Sequence, residues 1–435
     1  IYSYFEEELE KTGHKQVLFP VVIPEENLKK EQEHIEEFAP QVFWITMEGE
    51  KELKRKLALR PTSETAFYQM YHLWIRSHTD LPLKMFQSCS VYRAEPVTRP
   101  LLRGKEFLWI ETHNAFRTME ECKKQVKEDM EITRRVLFEK LGIPTIPFQR
   151  PEWDKFAGAV HTYAFDTLMP DGRVLQVAST HLLGTNFSEA FKIYYSDEKG
   201  KKHLVYQTCY GPGITRILAA LLFTHGDDHG LILPFDVAPI QVVVIPILKK
   251  GVKTEEIIEK CREVANELTE NNIRSTIDLS DKTPGYKYYY WELKGVPIRI
   301  EIGPKEVKQN TITLVRRDTF ERITVSRENM IDEILRLGRD MLENLKKRAV
   351  ENLEKSIRDA SDFKDIIKKV REGGFVRVNF CSIDKDGEKC AAKIKEESNG
   401  GKVRGVRIDV EEEAEGVCPV CNRKAKYVVY IANQY

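Results

Sequence analysis

The stretch Ser90–Phe116, SVYRAEPVTRPLLRGKEFLWIETHNAF, indicates the fold of the first half of the chain. Aromatic and β-branched residues flank a polar segment with Pro and Gly, which predicts strands over 84–93 and 106–116 joined by a loop. Arg93 and Glu95 are two residues apart and therefore point to one side. On the return strand, alternation places two aromatic rings, a carboxylate and an imidazole on one face, namely Phe107, Trp109, Glu111 and His113.

The loop between these strands is cationic. Pro96–Lys105 carries Arg99, Arg103 and Lys105, and such a loop can grip a polyphosphate. Arginine, carboxylates, aromatic rings and a histidine on one face are typical of a ligand site. A surface ladder of ion pairs over an aromatic core would produce the same pattern, so both interpretations stay open at this point.

Other parts of residues 1–235 favour an antiparallel sheet. Strand-like runs such as Gln16–Ile23 are separated by short polar stretches instead of crossover helices. Gly211–Leu222, GPGITRILAALL, predicts a Gly-rich turn that opens an apolar helix with Arg216 in its first turn, which suits an anion. A plain turn before a buried helix is the alternative. The Gly and Lys spacings exclude a Walker loop and a dinucleotide-binding fingerprint.

The pattern changes after residue 235. Ile240–Leu248 is an apolar run typical of buried parallel strands, and it is followed by alternating helical and strand-like segments. These segments are predicted helices over 254–271 and 286–295 and predicted strands over 274–279, 297–302 and 311–315. A long charged helix over 327–358 leads to a final unit that ends in a strand over 427–431. We therefore predict three domains, 1–235, 236–330 and 331–435.

Composition excludes several protein classes. The 435 residues contain 68 Lys and Arg against 68 Asp and Glu, which excludes a globally basic nucleic-acid binder and a polyanionic disordered chain. No apolar run is long enough to cross a membrane. The absence of a signal pattern, with cysteines scattered in a charged chain, indicates the reducing cytoplasm. The sequence opens on Ile1 within a predicted helix, so we expect that an N-terminal piece is missing from the first domain.

A cysteine cluster near the end indicates a metal site. Cys418-Pro-Val-Cys421 has the spacing of a zinc knuckle, and Cys381 and Cys390 bracket a second turn. Four thiolates without an open position predict structural Zn²⁺. Four unrelated reduced cysteines are the alternative.

Three features occur in the order typical of class II aminoacyl-tRNA synthetases. They are a helix and strand ending in Pro at Phe19–Pro24, the Arg-x-Glu strand–loop–strand at 93–95, and the Gly-x-Gly-x-x-Arg strand–helix at 211–216. RPTSE at 60–64, EFLW at 106–109 and QVASTHLLGTNF at 176–187 resemble the prolyl-tRNA synthetases of the archaeal/eukaryotic type. The resemblance implies an α+β and α/β multidomain fold: an antiparallel-sheet catalytic domain, an α/β anticodon-binding domain and a C-terminal α+β zinc-binding domain.

The resemblance also implies a reaction and its residues. L-Proline and ATP, with Mg²⁺ held chiefly by the phosphates, would form prolyl-adenylate, and the prolyl group would pass to tRNA(Pro). The implied catalytic residues are Arg93, Glu95 and Arg216. The implied proline-binding residues are Thr62, Glu64, Arg93, Trp109, Glu111, His113 and His181. The implied ATP-binding residues are Arg93, Glu95, Arg103, Phe107, Gln176, Ser179, Gly213 and Arg216.

Three of these residues have structural alternatives. His181 could be a satisfied structural histidine, Ser179 a strand hydroxyl, and Thr62 a helix N-cap.

For the middle domain, the resemblance implies anticodon recognition. Residues 281–317 carry eight Lys and Arg against four Asp and Glu, with Tyr286, Tyr288, Tyr289, Tyr290 and Trp291 interleaved. Some of these rings must face the core, and we predict Arg299 and Glu301 as base contacts.

Two other functions compete with this interpretation. One is a sister synthetase for threonine or histidine, although the catalytic half offers no zinc-ligand set suited to threonine. The other is a synthetase-like RNA-binding or regulatory protein without catalysis, which the presence of Arg93, Glu95 and Arg216 disfavours.

The class implies a homodimer. The resemblance also implies that Tyr435 folds back toward the catalytic domain; a frayed terminus is the alternative.

Overall fold

The computed structural model describes residues 1–34, 41–248 and 254–435. These residues form two compact units. The first contains residues 1–136, 145–220 and 353–435, and the second contains residues 137–144 and 221–352. Among the described residues, none of the helices has both the length and the apolar character that crossing a bilayer requires.

Up to residue 225 the chain forms helices and strands as follows. The helices are α1 (Tyr2–Lys11), α2 (Glu25–His34), α3 (Glu64–Trp74), α4 (Met119–Arg134), α5 (Asn186–Ala190) and α6 (Ile214–His225). The strands are β1 (Lys15–Gln16), β2 (Val22–Pro24), β3 (Trp44–Glu48), β4 (Lys51–Leu59), β5 (Leu83–Tyr92), β6 (Glu106–Phe116), β7 (Ile146–Gln149), β8 (His161–Leu168), β9 (Val174–Gly184), β10 (Tyr194–Ser196), β11 (Lys202–Leu204) and β12 (Tyr206–Pro212).

The remaining elements belong to the middle and the end of the chain. The helices are α7 (Thr254–Glu270), α8 (Pro284–Leu293), α9 (Pro304–Gln309), α10 (Met330–Lys355), α11 (Phe363–Glu372) and α12 (Glu388–Glu397). The strands are β13 (Val242–Pro246), β14 (Ser275–Ile277), β15 (Ile298–Ile302), β16 (Thr311–Arg316), β17 (Arg322–Ser326), β18 (Ile357–Asp359), β19 (Phe375–Phe380), β20 (Lys402–Arg407) and β21 (Tyr427–Ala432).

A mixed sheet dominates the first unit. Its strand order within the described residues is β1-β5-β6-β12-β9-β8-β7-β20-β21-β19-β18. The neighbours of β6, which are β5 and β12, both run antiparallel to it, as predicted. Strands from the C-terminal end therefore extend the sheet that begins near the N-terminus.

The junction between β7 and β20 requires a glycine. Gly405 has φ +124°, and a Cβ at this position would lie 2.0 Å from the backbone oxygen of Gln149. β20 also bulges between Val403 and Gly405 where it pairs with β21. A side chain at position 405 would therefore clash with β7 and open the sheet at this point.

One strand prediction is wrong. The run Gln16–Ile23 is not a single strand, because only its two ends pair, and they pair in different sheets. β1 joins the large sheet through β5, whereas β2 joins β4 in a three-stranded sheet with β3. Leu18, between the two strands, has 80% of its surface exposed. The apolar residues of this run thus belong to a crossing segment instead of one buried strand.

The second unit contains the predicted α/β arrangement. Its sheet has the order β14-β13-β15-β16-β17, in which β14, β13 and β15 are parallel and the other two strands run antiparallel. Buried residues of α7, including Ile257 and Val264, pack with β13 and β15 in one core. β17 was not predicted; its burial alternates along an edge strand, which gives no continuous apolar run.

Candidate active site

The structure brings the predicted proline and ATP residues together in the first unit. They line one cavity of about 560 Å³ between the β5–β6 hairpin, β9 and the starts of α3 and α6. The predicted residues that line it are Thr62, Glu64, Arg93, Glu95, Arg103, Phe107, Trp109, Glu111, His113, Gln176, Ser179, His181, Gly213 and Arg216. The alternation predicted for β6 is confirmed, since its four predicted side chains share this cavity.

Arg93 lies between aromatic rings at the cavity wall. Its guanidinium carbon is 5.3 Å from the ring centroids of both Phe107 and Trp109, and its Nε donates to the backbone oxygen of Pro61 at 3.2 Å. Burial lowers the pKa of Arg93, while Glu111 and other nearby carboxylates favour its charged form. The rings and the backbone oxygen therefore hold a cation in a fixed orientation toward the cavity.

Arg216 links the cationic loop to β9. Its Nε donates to the backbone oxygen of Leu102 at 3.0 Å, and its Nη1 donates to the backbone oxygen of Gln176 at 3.3 Å. Burial and the neighbouring Arg93 and Arg103 lower the pKa of Arg216 to about 10, so it remains charged at neutral pH. Three arginines thus face one cavity, which favours an anion with several charges.

A pair of buried carboxyl groups, Glu64 and Glu111, also lines the cavity. Ser63 is the N-cap of α3, so the structural alternative for Thr62, a helix N-cap, is wrong. Instead, the Thr62 hydroxyl contacts Glu64 Oε2 and lies 2.8 Å from Glu111 Oε1, which also accepts the Ser63 N–H at 3.1 Å. A hydroxyl has one proton, and therefore contact with two carboxyl groups is best satisfied when one of them is protonated.

The surroundings of Glu64 favour its protonated form. Burial, together with the charge of Glu111, raises the pKa of Glu64 to about 7. A cationic ligand group placed between the two carboxyls would displace the proton and leave both ionised. The site can therefore accept an ammonium group.

The two cavity histidines differ in their hydrogen bonds. His181 has both ring nitrogens paired, Nδ1 with Thr162 at 2.9 Å and Nε2 with Ser179 at 3.1 Å. His113 has its Nδ1 3.1 Å from the Tyr68 hydroxyl, whereas its buried Nε2 has no hydrogen-bond partner among the described residues. Burial lowers the pKa of each to about 3, so both are neutral. His181 and Ser179 thus make structural hydrogen bonds and also line the cavity.

Sequence reasoning missed Arg150 and Gln87. Arg150 follows β7, lines the cavity and donates from Nη2 to the side-chain oxygen of Gln176 at 2.8 Å. Gln87 on β5 donates to the hydroxyl of Ser63 at 2.5 Å, which supports the start of α3. Neither residue lies in a local pattern, because their partners are 26 and 24 positions away in the chain.

The four clustered cysteines form the second candidate site. The Sγ atoms of Cys381, Cys390, Cys418 and Cys421 all lie within 4.8 Å of one another, as a tetrahedral metal site requires. Arg423 donates to the sulfurs of Cys421 at 3.4 Å and Cys381 at 3.2 Å. These residues can hold one metal ion, and Arg423 would offset part of the thiolate charge.

In the middle unit, the two residues predicted as base contacts are buried. Arg299 and Glu301 are only 8% and 5% exposed, and they pair with each other at 3.0 Å. Arg299 also donates to Glu292 at 2.7 Å, and Arg322 donates to Glu301. Their strand β15 is buried along its whole length, and both charges are paired inside the fold. Three rings of α8 are instead exposed, since Tyr286 is 53%, Tyr289 58% and Tyr290 38% exposed.

Comparison with protein families agrees with this geometry. Residues 43–225 match the family described as tRNA synthetase class II core domain (G, H, P, S and T), and residues 241–337 match an anticodon binding domain. Residues 363–435 match the family described as Prolyl-tRNA synthetase, C-terminal. The matches occur in the same order as the catalytic, middle and cysteine-bearing parts of the chain.

Comparison with individual proteins extends over the whole chain. The chain is 53% identical to the proline–tRNA ligase of Thermofilum pendens and covers 90% of it, and 48% identical to that of Methanopyrus kandleri, of which it covers 87%. All of this chain and 90% of the compared chain superpose on the structure titled Giardia lamblia Prolyl-tRNA synthetase in complex with prolyl-adenylate, with a TM-score of 0.94 and 35% identity.

These findings define the class and then the family. The antiparallel core, its Arg-lined cavity and the match over 43–225 are those of a class II aminoacyl-tRNA synthetase. Within that class, the C-terminal match and the full-length relatives show that the chain belongs to the prolyl-tRNA synthetase family. They support proline over the alternatives threonine and histidine.

Proposed function

We propose that this chain activates L-proline with ATP and transfers the prolyl group to tRNA(Pro). The observation that carries the proposal is the cavity itself, which is lined by four arginines, by the buried carboxyl groups of Glu64 and Glu111 and by aromatic rings. One region suits a polyphosphate and the other a small ring with a cationic nitrogen. Binding both in one cavity brings the amino-acid carboxylate to the α-phosphate, and such positioning supplies much of the rate.

In the first step, a carboxylate oxygen of proline attacks the α-phosphorus of ATP, and the bond to pyrophosphate breaks. Arg93 stabilises the charge that develops on the α-phosphate, because its guanidinium is already held by the Phe107 and Trp109 rings. Arg103 and Arg216 bind the terminal phosphates. Mg²⁺ enters with ATP as part of the substrate, held chiefly by phosphate oxygens.

The remaining cavity residues bind the adenine or border the nucleotide. Glu95 accepts from the adenine amino group, and Phe107 stacks on the ring. Gln176, Ser179 and Gly213 border the nucleotide from β9 and the turn before α6. These assignments follow the resemblance together with the position of each residue in the cavity.

Proline occupies the acidic pocket. Its secondary ammonium donates to Glu64 and to the Thr62 oxygen, and Glu111 holds Thr62 and the Ser63 N–H in place. Trp109, His113 and His181 border the pyrrolidine ring. The neutral state of both histidines suits an apolar ring, since a charged imidazolium beside it would be poorly solvated.

The cysteine cluster holds structural Zn²⁺. Four thiolates complete the coordination of the ion and leave no open position, so the metal stabilises the C-terminal fold and takes no part in the reaction. The ion would join the segment after β19, the first turn of α12 and the Cys418–Cys421 turn.

The family suggests how the chain assembles and where it works. We place it in the cytoplasm as a homodimer, with the three domains at 1–235, 236–330 and 331–435 and tRNA bound partly by the middle one. Exposed apolar residues near the N-terminus, including Leu18, Trp44 and Met47, support self-association. Sedimentation at about twice the 50.6 kDa of the chain would agree with a dimer, and a monomer would contradict it.

The decisive test is exchange of labelled pyrophosphate into ATP. Exchange should depend on proline and not on threonine or histidine, and it should need no tRNA, because only the first step must run forward and in reverse. Arg93→Ala should reduce the rate on the order of a hundredfold or more while leaving thermal melting nearly unchanged. Exchange with none of the amino acids would contradict the proposed function, and normal exchange by Arg93→Ala would contradict the site.

A further inference from the structure

A buried ion network connects the C-terminal part of the chain to the candidate active site. Asp166 on β8, Arg404 on β20 and Arg150 after β7 are 0%, 0% and 4% exposed. The Asp166 carboxylate accepts from Arg404 Nε at 2.7 Å and Nη2 at 3.1 Å, and from Arg150 Nη2 at 2.8 Å and Nη1 at 3.2 Å. One carboxylate thus receives two bidentate arginines, which restricts all three side chains to one arrangement.

The network reaches the cavity through Gln176. Arg150 Nη2 donates to the side-chain oxygen of Gln176 at 2.8 Å, and the backbone oxygen of Gln176 accepts from Arg216. Because arginine can only donate, this contact fixes which way the Gln176 carboxamide points. Its nitrogen is left as the side-chain atom that can donate to a ligand in the cavity.

The network reaches the end of the chain on its other side. Arg404 Nη1 donates to the side-chain oxygen of Gln434 at 2.6 Å. The backbone around Gln434 pairs with the first residue of β9, since Val174 N–H donates to Asn433 at 2.8 Å and Tyr435 N–H donates to Val174 at 3.2 Å. β9 is the strand that carries Gln176, Ser179 and His181.

We propose that Arg404, supplied by the C-terminal part of the chain, is a positioning residue for the nucleotide side of the active site. Through Asp166 it fixes Arg150, and Arg150 fixes the carboxamide of Gln176. The proposal rests on the proposed function, because it assigns Gln176 to ATP. It makes the C-terminal part necessary for amino-acid activation as well as for folding.

The alternative is a network that only stabilises the sheet between β7 and β20. A stabilising role alone would lower the melting temperature of a variant without changing its preference for either substrate. A positioning role would weaken ATP binding and leave proline binding intact, since Arg404 contacts neither Thr62 nor Glu64.

The primary test is Arg404→Lys, which keeps the charge but loses the second hydrogen bond to Asp166. The KM for ATP in pyrophosphate exchange should rise on the order of tenfold, while the KM for proline changes less than about twofold. Calorimetry with ATP alone should show a matching loss of affinity. Arg377→Lys is the control, because Arg377 also bridges two carboxylates, Asp359 and Glu412, but among the described residues neither of them is bonded to one that lines the cavity, as Asp166 is to Arg150.

Gln434→Ala provides a second variant if Arg404→Lys does not fold. It removes only the outer hydrogen bond of Arg404, and the KM for ATP should rise about threefold. An unchanged KM and affinity for ATP in a folded Arg404→Lys, or in Gln434→Ala when the former does not fold, would overturn the proposal. Absence of proline-dependent exchange in the unmodified chain would instead contradict the proposed function, and ATP calorimetry would still test the positioning role.

Discussion

The Glu64–Thr62–Glu111 cluster makes proline binding sensitive to pH. Because burial and Glu111 raise the pKa of Glu64 to about 7, the free site holds a proton below this pH. Binding the ammonium of proline requires the carboxylate and therefore releases that proton. The raised pKa also means that the contribution of Glu64 to the stability of the ligand-free fold is greatest below the ordinary carboxyl range and is lost as the pH rises through about 7.

We therefore predict that the KM for proline falls as the pH rises from about 6 to about 8, with the main change near 7. Glu64→Gln should bind proline weakly and show a flat pH profile, because an amide cannot ionise. The measurement is the KM for proline in pyrophosphate exchange at several pH values. Glu189→Gln, at an exposed position on α5, should retain the unmodified profile, and a flat profile in the unmodified chain would contradict the role of Glu64.

Local periodicity explains which site residues could be predicted. Phe107, Trp109, Glu111 and His113 alternate along one strand, so their common face follows from a period of two. Asp166 and Arg404 are 238 positions apart, and no periodic pattern connects them. Arg299 and Glu301 also alternate, but alternation does not tell an exposed face from a buried one when both faces of the strand are covered.

At the scale of elements, the prediction was best where one strand or helix is long and regular. β6 has the predicted bounds 106–116, and α7 begins at the predicted residue and ends one residue before the predicted 271. The prediction of one strand over Gln16–Ile23 is wrong because an apolar segment that crosses between two sheets has the same composition as a strand. Composition does not specify a pairing partner.

The C-terminal segments that carry the four clustered cysteines should depend on a metal. Cys418→Ser should reduce bound zinc from about one ion per chain to well below that value and lower the melting temperature, because binding energy at such sites is folding energy. Elemental analysis after dialysis, paired with thermal melting, measures both effects. The control variant Cys122→Ala, on the buried side of α4 and in a different hydrophobic cluster, should retain zinc. Unchanged zinc in Cys418→Ser would contradict the ligand set.

At the scale of the molecule, the sequence predicts three parts of the chain. It does not predict that the C-terminal part and the catalytic part share one sheet. The C-terminal strands join the sheet of the catalytic part through β20 and β7, and this contact depends on Gly405 and on a pairing of distant segments. Zero net charge gave no indication of an RNA-binding region, because the positive excess over 281–317 is cancelled elsewhere in the chain.

Substitution of an exposed ring of α8 should affect the step that requires tRNA and leave the activation of proline unchanged. Tyr289 is 58% exposed, and Lys282 lies over the ring of the neighbouring Tyr286, 5.4 Å from its centroid, so a stacking surface stands beside a positive charge. Stacking of a base on an aromatic ring contributes about 1–3 kcal/mol, which corresponds to roughly a five- to hundredfold change in affinity. Arg299 and Glu301 are buried, and therefore these rings are the better candidates for contact with unpaired bases.

We predict that Tyr289→Ala raises the KM for tRNA in aminoacylation on the order of tenfold and leaves proline-dependent pyrophosphate exchange unchanged. The reason is that the first step uses only the cavity of the first unit, whereas the second requires the RNA. Tyr194→Ala, at a ring that is 41% exposed outside the middle unit, should change neither reaction. If Tyr289→Ala weakened exchange as well, the ring would act on the fold; if it weakened neither reaction, the anticodon contact would lie on another face of the middle unit.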